Sequence, residues 1–259
     1  MVLERLYVIP HGDEILDCPN QDSRRMNDAI TEMVSGDSAD TIAIISPHSL
    51  MLSDRVAIID TESTSGTYDI KTAKLRMKCI IDRSLSRRLK TMTGDLAELA
   101  GFVTSTGPLS DFPLDFGSLI PLSFFIQRRI VLMGQPRPTG TESMFAFGKV
   151  LYDWVKETDG KLSVIFSADQ AHTHAVDGPY GYSEEARAYD AEVRSAIERN
   201  DFSKVRDFDP DFIRKAKPDS FWNMLALAGF LDTSNLKMKV NYYYVEHYFG
   251  MLAASMKNP

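Results

Sequence analysis

Two short apolar runs, each stopped by a proline, constrain what this chain can fold into more than any other feature. Leu6 to Ile9 is closed by Pro10 and Gly12, and Thr41 to Ile45 by Pro47. Apolar runs of this length bounded by turn formers read as buried strands. Between them, Arg24 to Val34 carries Met26, Ile30 and Met33 three or four residues apart, the spacing of an amphipathic helix. Strand, helix, strand with short connections is a βαβ unit, and such units predict parallel pairing.

The alternation continues along the chain. Arg55 to Asp60 and Tyr68 to Met77 read as strands, the second more exposed, and Leu85 to Gly101 reads as a helix with Gly101 near its end. After a Pro-rich loop from Gly107 to Gly117 come a strand at Arg129 to Met133, a helix at Glu142 to Lys156 and a strand at Leu162 to Phe166. Glu184 to Arg199 is a charged helix and Phe221 to Leu231 an apolar one. Leu236 to Tyr248 has the β-branched and aromatic content of a strand. No repeat or long linker divides the 259 residues, so the expectation is one α/β domain over 1–259, with a mostly parallel central sheet flanked by helices.

A net charge of −7 and the lack of any basic, aromatic-interleaved block argue against nucleic acid or an anionic membrane as partner. No run approaches the roughly 18 apolar residues of a membrane span, and the opening MVLERLYVIPHG reads as a strand, not a signal peptide. Cys18 and Cys79 are too few and too distant in sequence for a disulfide framework, and as free thiols they fit a reducing compartment. A soluble, cytoplasmic protein acting on a small molecule or a protein is expected.

Three of the five histidines lie just after predicted strands: His11 after LYVIP, His48 after TIAIISP and His172 after SVIFSADQA. The carboxyl ends of parallel strands share one crevice, so two Pro-His ends would bring two imidazoles to the same edge. Neutral imidazole is a common ligand for iron and zinc. Each histidine alone also fits a loop residue bonded to backbone. The segment from Ser167 to Tyr182 packs Asp169, His172, His174 and Asp177 into one polar loop, although its Gly-Pro-Tyr-Gly portion equally suits a rigid turn. Asp219 precedes the apolar helix at Phe221, where an N-cap and a metal role are both open. His247 lies in an aromatic strand and reads as a packed or hydrogen-bonded residue, not a ligand. Neither a G-x-S-x-G elbow nor a phosphate-binding G-x-x-x-x-G-K-[ST] loop is present.

Taken together, Pro-His-Gly at His11, Ser-Pro-His-Ser around His48, and Ser-x-Asp-x-x-His followed by Asp-Gly-Pro-Tyr-Gly-Tyr resemble the class III extradiol ring-cleavage dioxygenases, the LigB-like family, from about Tyr7 to Gly250. The resemblance implies that His11 and His48 ligate Fe(II) and that His172 acts as acid and base, with His174 in reserve. The family's third ligand is a glutamate before a late helix, and Asp219 is its nearest counterpart here. Asp115-Phe116-Gly117 resembles an Asp-His-Gly stretch, with Phe116 in place of the histidine. Asp115, Phe116 and Tyr180 are thereby the implied substrate contacts. The implied reactants are a catechol-like aromatic diol and O₂, and a homo-oligomer is compatible with the resemblance. Two other readings stay open: a hydrolase using Zn(II) on the same ligands, and a non-catalytic binding protein like the related Memo branch, with a vestigial metal site.

Overall fold

The computed structural model describes residues 2–257 except 102, 105, 106, 109, 127 and 139. Its first strand, β1 (Val2–Ile9), leads through a single helical turn (Glu14–Asp17) into α1 (Gln21–Val34) and then β2 (Thr41–Ser46). The helix starts where Asn20 accepts the Ser23 N–H and Ser23 reciprocates, a capping box that satisfies two otherwise orphaned amides. Next come β3 (Val56–Ile59), the hairpin β4 (Ser63–Asp69) and β5 (Lys74–Ile80), α2 (Arg83–Thr93), β6 (Ala97–Ala100) and α3 (Phe116–Leu122). The second half contains β7 (Arg129–Gly134), α4 (Glu142–Glu157), β8 (Lys161–Ser167), α5 (Glu184–Arg199), α6 (Phe221–Ser234), β9 (Met238–Glu246) and β10 (Phe249–Met256).

Eight of these strands form one sheet in the order β9-β10-β1-β8-β2-β7-β3-β6. The central four, β1, β8, β2 and β7, run parallel, and antiparallel β10 and β3 flank them. This is the expected α/β architecture with a mostly parallel sheet. The βαβ unit differs in one respect: β1 and β2 are parallel but not neighbours, because the late strand β8 lies between them.

Alternation along the strands divides the core in two. Leu6, Val8, Ala43, Ile45, Val131, Met133, Val164 and Phe166 pack on one face with α2, α4, α5 and α6. Tyr7, Ile9, Ile42, Ile44, Ile130, Leu132 and Ile165 pack on the other with α1 and α3. A sheet covered on both faces requires the uninterrupted apolar runs seen in the sequence. On the first face α4 and α6 approach so closely that a Cβ on Gly148 would run into the Ala226 carbonyl. No helix among the described residues is long and apolar enough to cross a membrane.

Four sequence expectations need correction. The helix expected over Leu85 to Gly101 ends at Thr93, where Gly94 takes φ +53°, and the chain turns to make edge strand β6. The strand expected over Tyr68 to Met77 is a hairpin, with its turn over residues 70–73. Leu236 to Tyr248 contains β9 and its turn, and His247 (φ 52°) is the turn residue instead of a packed strand residue. There its Nε2 meets Asp177 Oδ1 at 3.0 Å. Finally, the loop from Gly107 to Gly117 contains the short strand Phe112–Pro113, paired with β4, and the first two residues of α3; its residue 109 lies outside the described residues.

Candidate metal centre

The parallel strands end level with one another: Ile9 of β1 pairs with Ser167 of β8, and Ser46 of β2 with Gly134 of β7. The residues that follow therefore emerge at one edge. His11 and His48 come from the β1 and β2 ends, two strand positions apart, and their rings close over β8 between them with centroids 4.8 Å apart. Asp219 arrives from the opposite direction, just before α6. Gln135 holds it there by donating to the Asp219 carbonyl (2.8 Å) and accepting the Asn223 N–H (3.0 Å). The Asn223 amide in turn donates to the Ile45 and Ser167 carbonyls. The first turn of α6 is thus pinned to three strand ends.

His11 Nε2, His48 Nε2 and Asp219 Oδ2 form a triangle with every side 3.1 Å. For metal–ligand bonds of about 2.1 Å, donors at right angles stand about 3.0 Å apart, and tetrahedral donors about 3.4 Å apart. The three atoms therefore fit one face of an octahedron around a divalent ion. Two imidazoles and a carboxylate on one face are also the donor set of non-haem Fe(II) sites. Among the described residues this trio is the one group of three His, Cys, Asp or Glu side chains close enough to share an ion. Asp219 is not the helix cap: Ser220 holds that position without a capping bond, and the Asp219 carboxylate faces the histidines.

The surroundings match a cation. Burial opposes charge on both His11 and Asp219, yet the neighbouring groups outweigh it. Asp169 and Asp219 push His11 up to about 9, and the two imidazoles hold Asp219 well below the usual carboxylate range. Asp169 is buried behind His11: its Oδ1 accepts the His11 N–H at 3.0 Å and its Oδ2 lies 3.4 Å from His11 Nε2. Burial raises its own carboxyl above the usual range.

The remaining candidates occupy different places. His172 lies on one wall, its ring stacked on Phe249 (5.5 Å, 17°) and 6.0 Å from Tyr180. Its Nδ1 bonds the Gln170 carbonyl at 2.8 Å, so Nδ1 carries the hydrogen and Nε2 the lone pair. Tyr180 is 53 % exposed at the rim. Phe116 lies beside the two histidines of the triangle, 4.2 Å from the His48 ring, 5.8 Å from that of His11 and stacked on Tyr68. Asp115 beside it is fully engaged, accepting from Ser46 Oγ, Ser118 N and Ser118 Oγ as the cap of α3. His174 turns away: its Nε2 meets Asp190 Oδ2 of α5 at 2.8 Å, an oxygen shared with the Tyr243 hydroxyl. Gly117 permits this crowding, because a Cβ there would stand 2.7 Å from Ser46 Oγ and 2.9 Å from His48 Cδ2.

Sequence reasoning gave Ser167 no role, although it opens the Ser-x-Asp-x-x-His stretch, and did not single out Gln135 or Asn223. Their one signal is polarity at or beside the ends of apolar elements, which is common in any loop. Glu14 escaped notice as well. Its Oε2 is buried with no hydrogen-bond partner among the described residues, and burial pushes the carboxyl up to about 7.

Comparison with known proteins bears on the family and the fold. A family model described as the catalytic LigB subunit of aromatic ring-opening dioxygenase matches residues 6–256. Protein CA_C1420 of Clostridium acetobutylicum is 23% identical over 274 residues, covering 99% of this chain and 58% of that protein. The chain thus spans little more than half the length of that relative. The crystal structure of the uncharacterized protein JW3007 from Escherichia coli K12 superposes with a TM-score of 0.67 at 12% identity, covering 98% of this chain and 100% of the other, and so shares the fold.

Proposed function

Because the chain belongs to the family of the catalytic LigB subunit of aromatic ring-opening dioxygenases, we propose that it is a non-haem Fe(II) extradiol dioxygenase that opens a catechol-like ring with O₂. The observation that carries this reading is the 3.1 Å triangle of His11 Nε2, His48 Nε2 and Asp219 Oδ2. Held there, Fe(II) would supply Lewis acidity toward the diol and redox chemistry toward O₂.

The protein's own contribution is a slot and a proton carrier. Phe116 beside His48 and the stacked pair of His172 and Phe249 supply aromatic faces that suit a flat ring. Fixing the ring beside the metal face turns an encounter between separate molecules into reaction within one complex. His172 serves as general base and acid. With Nδ1 committed to the Gln170 carbonyl, Nε2 is the atom that accepts a diol proton and later returns it. Asp115 keeps Phe116 in place by capping α3 and leaves the substrate contact to Phe116 and Tyr180.

The test is metal analysis of anaerobically prepared protein combined with O₂ uptake on a panel of catechols. Iron in roughly one-to-one ratio and ring-opened product support the proposal. Tight zinc with no O₂ uptake would point to hydrolysis on the same ligands, and neither tight metal nor turnover would point to a binding protein.

A further inference from the structure

The hydrogen bonds behind the metal face decide which nitrogen of His11 keeps its hydrogen when a metal ion displaces the other. Ser167 Oγ lies 2.9 Å from His11 Nδ1 and 2.5 Å from the Gly117 carbonyl oxygen. A carbonyl oxygen has no hydrogen to give, and two bare oxygens at that separation would repel. The single hydroxyl hydrogen of Ser167 therefore lies on the Gly117 side. With that hydrogen spent, Oγ can only accept from the imidazole, so His11 must carry a hydrogen on Nδ1. Ser167 is fully buried and His11 is 1% exposed, which keeps bulk solvent away from this hydrogen bond.

We propose that Ser167 is a positioning residue for the metal centre: by accepting from His11 Nδ1 and donating to Gly117, it keeps the His11 Nε2 lone pair aimed at the point shared with His48 and Asp219. The topology makes this possible, since β8 ends in Ser167 directly between the strands that deliver the two histidines. The same hydroxyl has a second effect. Gly117 belongs to the first turn of α3, which presents Phe116, so the metal donor and the aromatic wall share one fixed point. Partners on the distal ring nitrogen of metal-binding histidines fix ring orientation and raise ligand basicity, and losing them weakens metal binding about 10–100-fold.

This inference rests on the metal-centre reading, and one experiment separates the two. Co(II) serves as the metal, with its dissociation constant measured by competition against a chromophoric chelator and its absorption bands recorded. The proteins are the wild type, Ser167→Ala and Ser86→Ala, and the melting temperature of each is taken without metal. Ser86 is a control, a buried serine on α2 whose Oγ has no hydrogen-bond partner among the described residues. Ser167→Ala is expected to bind Co(II) about 10–100-fold more weakly with altered bands, and Ser86→Ala to match the wild type. A purely structural role would lower the melting temperature and leave the dissociation constant alone. Folded Ser167→Ala with wild-type affinity overturns the role of Ser167 and leaves the metal centre standing, whereas wild type that binds no Co(II) overturns both. Should Ser167→Ala not fold, ¹⁵N-histidine NMR of the Zn(II)-loaded wild type decides: a His11 Nδ1 hydrogen shifted downfield and protected from solvent exchange by its hydrogen bond upholds the proposal, and one that exchanges freely refutes it.

Discussion

Replacing Glu14 with glutamine should make the protein's stability less sensitive to pH, by an amount that follows from the surroundings of the carboxyl group. Burial is the main cause of its raised pKa, helped by Asp13, Glu246 and Asp169 and opposed by a hydrogen bond from its own backbone N–H. A Cβ on Gly12 would meet Met251 Cε, Phe249 Cε2 and Glu14 Oε2 together, so the carboxyl sits in an apolar corner. The folded protein holds this proton up to about pH 7, while an unfolded chain releases it near 4.5. Below pH 4.5 both states are protonated and the group has no effect on the pH dependence. Between 4.5 and 7 the unfolded state alone loses its proton, so stability falls as pH rises, and above 7 the loss is complete. At about 1.4 kcal/mol per pH unit the full difference is about 3 kcal/mol, which screening of a partly buried group reduces to about 1–2 kcal/mol. Urea unfolding of wild type and Glu14→Gln at pH 5, 6, 7 and 8, with chelator present, measures it. The glutamine side chain introduces an offset that does not vary with pH, so the informative quantity is the change in the difference between the two proteins. That difference should shift by about 1–2 kcal/mol in favour of Glu14→Gln from pH 5 to 8. Parallel stability curves would refute the reasoning.

Other substitutions address the centre itself. His172→Gln should lower the ring-opening kcat by about 10²–10⁴-fold with iron content unchanged, checked by O₂ uptake and metal analysis; full turnover would remove His172 from the proton role. Asp219→Ala should abolish tight binding of one divalent ion while far-UV circular dichroism stays native, because it deletes one corner of the triangle and leaves the backbone ties of Gln135 and Asn223 in place. Phe116→Ala should raise the KM for catechols about 2–13-fold, corresponding to about 0.5–1.5 kcal/mol for a lost aromatic contact, with a smaller change in kcat. An unchanged KM would mean that substrate does not lean on that wall.

The sequence carried the sheet better than its connections. Uninterrupted apolar runs at Leu6 to Ile9, Thr41 to Ile45, Arg129 to Met133 and Leu162 to Phe166 each became a central strand, because only doubly covered strands need such runs. β10 was missed. Its sequence FGMLAASM has no β-branched residue, and the turn before it uses His247 in place of a glycine. Strand order was equally hidden, since nothing local in Lys161–Ser167 says that it lies between β1 and β2. At the centre, strand–Pro-His endings pointed to two of the three side chains that the structure brings together, and a carboxylate before a helix pointed to the third. Its competing reading as a cap was settled only by the direction of the Asp219 side chain. His174 shows the converse. Two residues from His172 and chemically identical, it is turned toward α5, and only the position of Asp190 distinguishes them.

The central position of β8 has a consequence for how the protein comes into being. His11 and His48 leave the ribosome well before the strand that separates and aligns their carriers, which begins at Lys161, and the carboxylate follows at Asp219. A nascent chain that has exposed both imidazoles cannot yet present a three-cornered grip. Long-range closures of this kind come late and slowly in folding. The three side chains can therefore meet only after Asp219 has been made, and a chain truncated before Asp219 would lack one corner of the triangle.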